Sequence, residues 1–267
     1  MKDNLKKILN QDINNGILKL TLDDNENKNA LSELMMKELI DSLSIASLDS
    51  SIKVIIIAAK GNVFCSGHNL KEITYARTAE DLGETYYINL FNLCSALMQL
   101  IVNCPKPVIA EVNGIATAAG CQLVASCDLA ISSNSSKFAT PGVNLGLFCS
   151  TPMVALSRNV SKKNAMKMLL TGDMISANEA KSISLINDCV AEEELTETVT
   201  KLSQKIAQKS SMTVRTGKEA FYKQFEMNLS DAYKYTSRVM AENTLRDDAK
   251  EGIESFLEKR DPNWSDS

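Results

Sequence analysis

The sequence predicts an α/β fold: an α/β core over residues 1–190, followed by a helical region over 191–267. Three observations predict it. Apolar strand-like runs alternate with helix-period segments in the order β-α-β-α-β, which argues for parallel strands joined by crossovers. The central run, Val54-Ile-Ile-Ile-Ala-Ala59, is uninterrupted and reads as a buried strand. Beyond about Thr151 strand signals nearly cease, and residues 211–260 are helical almost throughout.

Taken in order, Ile17, Leu18, Leu20 and Leu22 open the fold as a strand, with Lys19 and Thr21 alternating on the other face. A polar loop from Asp23 to Asn29 precedes a helix from about Ala30 to Ser47, whose stripe is Leu31, Met35, Leu39 and Leu43. After the Val54–Ala59 strand comes a Gly-containing loop, Lys60 to Lys71, and a long helical stretch that ends before Pro105 and Pro107. The strand Val108–Val112 leads through Asn113-Gly114 to a helix near Thr117–Ser126 and a strand near Leu129–Ser132. Ser161 begins a helix that Gly172 terminates, and Ser176-Ala-Asn-Glu179 is a capping box. Leu195, Val199, Leu202 and Ile206 mark a further amphipathic helix. Such a helical extension is expected to bury its spare faces against another subunit.

Composition excludes several functions. The single histidine, His68, rules out His₃ and His₂-carboxylate metal sites and the H-E-x-x-H helix. Lys+Arg 29 against Asp+Glu 33 leaves no basic surplus for nucleic acid. The Val54–Ala59 run is too short to span a bilayer, so no membrane role is expected. The seven cysteines form no C-x-x-C pair and read as buried apolar residues of a reducing compartment. Met1–Asn10 has no apolar signal region, so the expected location is cytoplasmic, or the mitochondrial matrix if a presequence has been removed.

Two loops carry the candidate chemistry. Phe64-Cys-Ser-Gly-His-Asn-Leu-Lys-Glu72 follows a buried strand, and Gly67 lets its backbone approach a ligand closely. Asn113-Gly-Ile-Ala-Thr-Ala-Ala-Gly-Cys-Gln-Leu123 leaves a strand and feeds directly into a helix, whose first N–H groups lack partners. Small-residue loops at the ends of neighbouring parallel strands form the ligand crevice of an α/β sheet. One N–H from each suits an oxyanion hole, which holds a carbonyl oxygen as it gains negative charge.

These loops resemble the two oxyanion loops of the crotonase superfamily, the enoyl-CoA hydratase/isomerase family. Phe64–Glu72 is similar to F-x-A-G-x-D-L-x-E, and Gly114–Asp128 to G-x-A-x-x-G-G-x-x-L-x-x-x-C-D. Lys28-Asn-Ala-Leu31, Thr171–Ala180 and Lys250–Arg260 also match, so the resemblance runs from about Gly16 to Trp264. It implies a crotonase-type (ClpP/crotonase) β-β-α spiral core with a C-terminal trimerisation region, assembled as a homotrimer or a dimer of trimers. It implies an acyl-CoA thioester as the partner and no cofactor apart from the coenzyme A of the substrate. The oxyanion N–H groups would be those of His68 and Ala119. Lys28, Ala30, Ser66, Gly67, Leu70 and Gly120 would line the coenzyme A and thioester path, and Phe256 and Lys259 would reach a coenzyme A bound to a neighbouring subunit.

The same resemblance marks where the chain departs from its family. Hydration needs water deprotonated and a proton delivered to Cα, and family members use carboxylates for this. Hydratases place two glutamates, at the positions of Gln122 and Gly142; single-glutamate isomerases use the second, and dienoyl isomerases and aroyl-CoA dehalogenases place an aspartate at that of Ser150. A glutamine amide does not exchange a proton near neutral pH, and glycine offers only space, an opening for water or a bulkier substrate. General acid–base groups contribute about 10²- to 10⁴-fold each, so standard hydratase turnover is expected to be low. Of the remaining groups, the His68 ring is expected to face solvent or the coenzyme A pocket, and Cys149 to be buried. Glu72 suits the start of a helix and Asp128 a structural hydrogen-bonding role. Glu111 faces either solvent or the crevice. The competing readings are a non-catalytic or regulatory acyl-CoA-binding protein, and a different thioester reaction such as hydrolysis or decarboxylation.

Overall fold

A computed structural model describes residues 7–266, so Met1 to Lys6 of the N-terminal segment read for a signal region lie outside the described residues. The chain opens with a hairpin, β1 (Leu9–Asn14) and β2 (Ile17–Leu22), rather than with a lone strand at Ile17. Its turn, Asn15-Gly16, has φ of 49° and 77°, the positive values a tight hairpin requires. The later strands are β3 (Val54–Ala59), β4 (Val63–Cys65), β5 (Val108–Val112), β6 (Ile115–Thr117), β7 (Leu129–Ser133), β8 (Lys137–Ala139), β9 (Ile175–Ser176) and β10 (Asp188–Val190). The helices are α1 (Glu33–Leu48), α2 (Leu70–Ala76), α3 (Glu84–Asn103), α4 (Ala119–Ser126), α5 (Pro152–Asn159), α6 (Lys162–Thr171) and α7 (Ala177–Ser182). The C-terminal helices are α8 (Glu192–Ala207), α9 (Ser211–Phe225), α10 (Leu229–Thr244) and α11 (Asp247–Glu258).

Two sheets share the strands. The larger has the order β1-β2-β3-β5-β7-β10, parallel except for β1, and the smaller has the order β4-β6-β8-β9, parallel except for β9. Each turn of chain lays one strand in each sheet before a helical segment: β3, β4, then α2 and α3; β5, β6, α4; β7, β8, then α5. This is the β-β-α spiral that the resemblance implies.

Both faces of β3 are covered because the pleat sends alternate residues to two cores. Ile55 and Ile57 join Leu39, Leu43, Leu97 and Val108 under α1 and α3. Val54 and Ile56 join Ile17, Ile109 and Ile131 beneath Leu195 and Val199 of α8. That double burial is why the run has no polar residue.

α1 begins at Glu33, not at Ala30. Ser32 is its N-cap, its Oγ accepting from the Met35 N–H at 3.1 Å, and Leu31 instead bridges in parallel to His68. Ser161 and a left-handed Gly172 bound α6 as expected. At α7 the Ser176 half of the capping box forms, its Oγ accepting from Glu179 N–H at 3.2 Å, while the Glu179 carboxylate pairs with Lys167. By length and composition alone α3 is long and apolar enough to cross a membrane, a feature the strand-like run at Val54 does not reveal. Here α3 packs against α1 and α4, burying Leu90, Cys94, Leu97, Met98 and Ile101.

Candidate functional site

β4 and β6 pair in parallel with Cys65 opposite Ala116, so the two Gly-containing loops leave one sheet side by side. Their backbones interlock. Gly67 has φ of +93°, and a Cβ there would lie 2.9 Å from Ala118 Cβ and 3.4 Å from Ala119 N. A Cβ on Gly120 would lie 2.1 Å from the Cys65 carbonyl oxygen, so only glycine permits this approach of α4 to β4. Thr117 Oγ1 donates to Ser66 O at 3.1 Å.

A third segment completes the arrangement. Ser66 N–H donates to Lys28 O at 3.2 Å, and Leu31 N–H to Gly67 O at 2.8 Å. Lys28 and Asn29 hold φ of 57° and 50°. Asn29 fixes this shape: its Oδ1 accepts from Asp24 N–H, and its Nδ2 donates to Lys60 O and Val63 O. Asn29 and Thr117 are positioning residues that sequence reasoning passed over. The usable signal was an asparagine in Lys28-Asn-Ala-Leu31, since asparagine tolerates positive φ.

Ala118 bears the strain of the site, with φ 51° and ψ −119°. Its N–H donates to Ala139 O at 2.9 Å, and its carbonyl accepts from Gln122 N–H at 3.0 Å. Such a conformation costs on the order of 1–3 kcal/mol and persists only where surroundings enforce it. It leads directly into Ala119, the first residue of α4, whose N–H has no intrahelical acceptor. Among the described residues, neither the Ala119 nor the His68 backbone N–H donates a hydrogen bond. Two unengaged N–H groups thus meet beside Gly67, and such a pair can hold a carbonyl oxygen.

The side chains differ from expectation at Gly142 and Glu111, and at His68 one of the two expected settings is excluded. The His68 ring does not face solvent: it stands edge-on to Phe91 of α3 at 5.5 Å between centroids, with Nδ1 3.3 Å from Leu31 O. Burial lowers its pKa below the ordinary histidine value, against the raising effect of the Leu31 carbonyl. Gly142 leaves no opening, because a Cβ there would lie 2.9 Å from Cys149 Sγ and 3.0 Å from Leu147 O. Glu111 faces neither solvent nor crevice. It is buried, salt-bridged to Lys19 at 2.8 Å, and accepts from Thr196 Oγ1 at 2.8 Å on the α8 side of the larger sheet.

Gln122 is buried, and its Oε1 lies 3.8 Å from Cys94 Sγ. Ser150 is exposed, bonded only to Phe148 O. Burial raises the Cys149 thiol above its usual range and pushes Cys65, Cys94 and Cys121 up to about 12, so these sulfurs stay protonated near neutrality. Glu72 accepts from Tyr86 OH and Glu33 N–H, tying α2 to α3 and the start of α1. Asp128 takes the structural role expected, accepting from Val108 N–H, Lys218 Nζ and Tyr222 OH at 2.6–2.9 Å. Leu70 and Lys28 are exposed beside the loops, and Ala30 and Gly120 are buried among them. Phe256 and Lys259 lie on the exposed side and at the C-cap of α11, not at the loops of their own chain. Surface depressions of about 400 Å³ beside Met174 and about 300 Å³ beside Phe221 share no lining residue with the loops.

The family model described as Enoyl-CoA hydratase/isomerase matches residues 12–267. Phe138–Val143 and Gly146–Pro152 resemble the enoyl-CoA hydratase domain-containing protein 3 branch of this family, and members of that branch are among the relatives. Enoyl-CoA hydratase domain-containing protein 3, mitochondrial, of Xenopus laevis is 50% identical over 252 residues, covering 94% of this chain and 84% of that one. The crystal structure of human enoyl coenzyme A hydratase domain-containing protein 3 superposes with a TM-score of 0.92 at 46% identity, covering 97% of this chain and 100% of that one. An enoyl-CoA hydratase structure from Mycobacterium smegmatis has a TM-score of 0.92 at 43% identity, covering 97% and 99%.

Proposed function

Since the chain belongs to the enoyl-CoA hydratase/isomerase family, we propose that it binds an acyl-CoA thioester and stabilises the enolate form of the thioester through the His68 and Ala119 N–H groups, with low hydratase turnover. The carrying observation is the pair of unengaged backbone N–H groups locked together by Gly67 and the strained Ala118. Donors fixed in advance need no reorganisation when charge develops, which is why one such donor is worth about 10²- to 10³-fold. Lys28, Ala30, Ser66, Leu70 and Gly120 surround that pair and would line the thioester and its coenzyme A. No cofactor beyond that coenzyme A enters the reading.

The weak step is proton transfer. Gln122 lies against a thiol, Ser150 is a hydroxyl, and Cys149 fills the space beside Gly142. This last contact favours acyl-CoA binding, or a thioester reaction needing only the oxyanion pair and water, over hydration. Exposed apolar residues on the C-terminal helices, among them Phe221, Phe225, Leu245, Phe256 and Leu257, support assembly as a homotrimer or dimer of trimers. Relatives named as mitochondrial support a matrix location, with the cytosol as the alternative.

Calorimetric titration with butyryl-CoA and a crotonyl-CoA hydration assay test the reading together. Saturable binding with turnover far below that of a two-glutamate relative is expected. Near-normal turnover defeats the low-activity half, and absence of binding to any coenzyme A ester defeats the whole.

A further inference from the structure

His68 has a second feature that its backbone role does not use. Its Nδ1 lies 3.3 Å from the Leu31 carbonyl oxygen, which can only accept. Nδ1 must therefore carry the proton in that contact, and in a neutral ring Nε2 is left with a bare lone pair. Nε2 is fully buried and has no partner. A buried acceptor without a donor is uncommon, and each instance calls for a physical cause.

Its surroundings point to the reacting end of the site. The ring lies against Phe91, and three residues on, on the same face of α3, Cys94 touches Gln122, a position the family resemblance marks for an acid. Thr140 Oγ1, which follows Ala139 on the other flank of Ala118, is also buried without a partner. Among the described residues only two further buried side-chain atoms, Ser211 Oγ and Asp248 Oδ2, share that state. Half of these atoms therefore belong to residues whose chain neighbours, Gly67 and Ala139, touch Ala118.

We infer that His68 uses both of its N atoms at the thioester: the backbone N–H on the carbonyl oxygen, and ring Nε2 as acceptor for an O–H group at the acyl end. The ligand class is an acyl-CoA whose acyl group carries a hydroxyl near the carbonyl, or one that brings a water to that place. The inference rests on the acyl-CoA reading above and deepens it by assigning the acyl group's polarity. Leu31 O holds the ring at Nδ1, and because Nε2 is shielded from solvent the O–H reaches it only as neighbouring side chains give way.

The single histidine makes the test direct. In protein labelled with [¹⁵N]histidine, one pair of imidazole nitrogens is observed. The free protein is expected to show a protonated Nδ1 and a bare Nε2; a protonated Nε2 overturns the inference. Butyryl-CoA and β-hydroxybutyryl-CoA are then added separately, with binding followed by calorimetry. A move of Nε2 to a hydrogen-bonded position with the hydroxy ester alone identifies the acyl hydroxyl as donor. The same move with both identifies water. No move with either, while both bind, overturns the inference and leaves the acyl-CoA reading standing. Failure of both esters to bind overturns that reading instead, and the inference with it. For a hydroxyl donor, His68→Asn keeps an amide near Nδ1 and has no atom at Nε2. It should lower the preference for the hydroxy ester over butyryl-CoA by about 5- to 10-fold, the worth of one hydrogen bond.

Discussion

The turn at Ala118–Ala119 and the segment from Pro141 to Cys149 leave neighbouring parallel strands, β6 and β8, and are built to opposite ends. The first holds a non-glycine residue at φ 51° so that an N–H stays unengaged. The second has a glycine, Gly142, at the position the family resemblance marks for an acid, and Cys149 Sγ occupies the adjoining space. Polarisation by the backbone and proton transfer by side chains are thus separable properties of this scaffold. On the proposed reading, one rests on main-chain geometry that no single side chain supplies, while the other depends on a few side chains.

The largest effect should come from restoring what the second segment lacks. Gln122→Glu with Gly142→Glu should gain little crotonyl-CoA hydration while Cys149 stays. Adding Cys149→Ala should raise the rate by about 10²- to 10⁴-fold over the double variant. No gain from the triple variant in a steady-state assay would mean that the first segment is not competent either. Next comes Gly120→Ala, which sets a methyl against the Cys65 carbonyl. It should cost about 3 kcal/mol in urea unfolding and weaken acyl-CoA binding, because α4 must retreat. Smaller again is the coupling between Gly142→Glu and Cys149→Ala. A double-mutant cycle in denaturant should give about 1–2 kcal/mol, and additivity would show that the thiol does not guard the position. Ala118→Gly should stabilise by about 1 kcal/mol by releasing the strained φ, read as a higher urea midpoint.

The smallest effect is a slope. The folded His68 pKa lies below its unfolded value of 6.5, so the unfolded chain takes up the proton first as pH falls. The contribution of His68 to stability is therefore complete above about pH 6.5, declines as pH falls toward the lower folded value, and levels off beneath it. Urea midpoints between about pH 7.5 and about pH 5 should fall less steeply in His68→Asn than in the wild-type chain. Equal slopes would place the ring in solvent.

Much of this contrast is legible in the sequence. The two loops, the order of β3, β5 and β7, and the glycines that interlock the loops are local patterns that spacing and residue type disclose. β1 escapes because Leu9–Asn14 is an edge strand with one buried residue, so it shows little apolar alternation. β4, β6 and β8 escape because three residues are too few to establish a period. The contact of Cys149 with Gly142 escapes for another reason. It depends on how the short 3₁₀ turn Pro141–Leu145 and the residues after it fold back, a matter of packing that leaves no local mark. The same holds for Glu111, whose partners lie 92 and 85 residues away in sequence.

Asp128 carries a consequence for how the molecule comes apart. One carboxylate grips the first amide of β5, and its other bonds run to Lys218 and Tyr222 of α9. The Lys218 ammonium also takes the carbonyl oxygens of Ile101 and Lys106. Releasing α9 therefore breaks the Lys218–Asp128 ion pair and the hydrogen bonds around it at the root of the central sheet. Hydrogen exchange should accordingly find the amides of β5 and the Lys218 turn of α9 opening together at one free energy, as a single foldon.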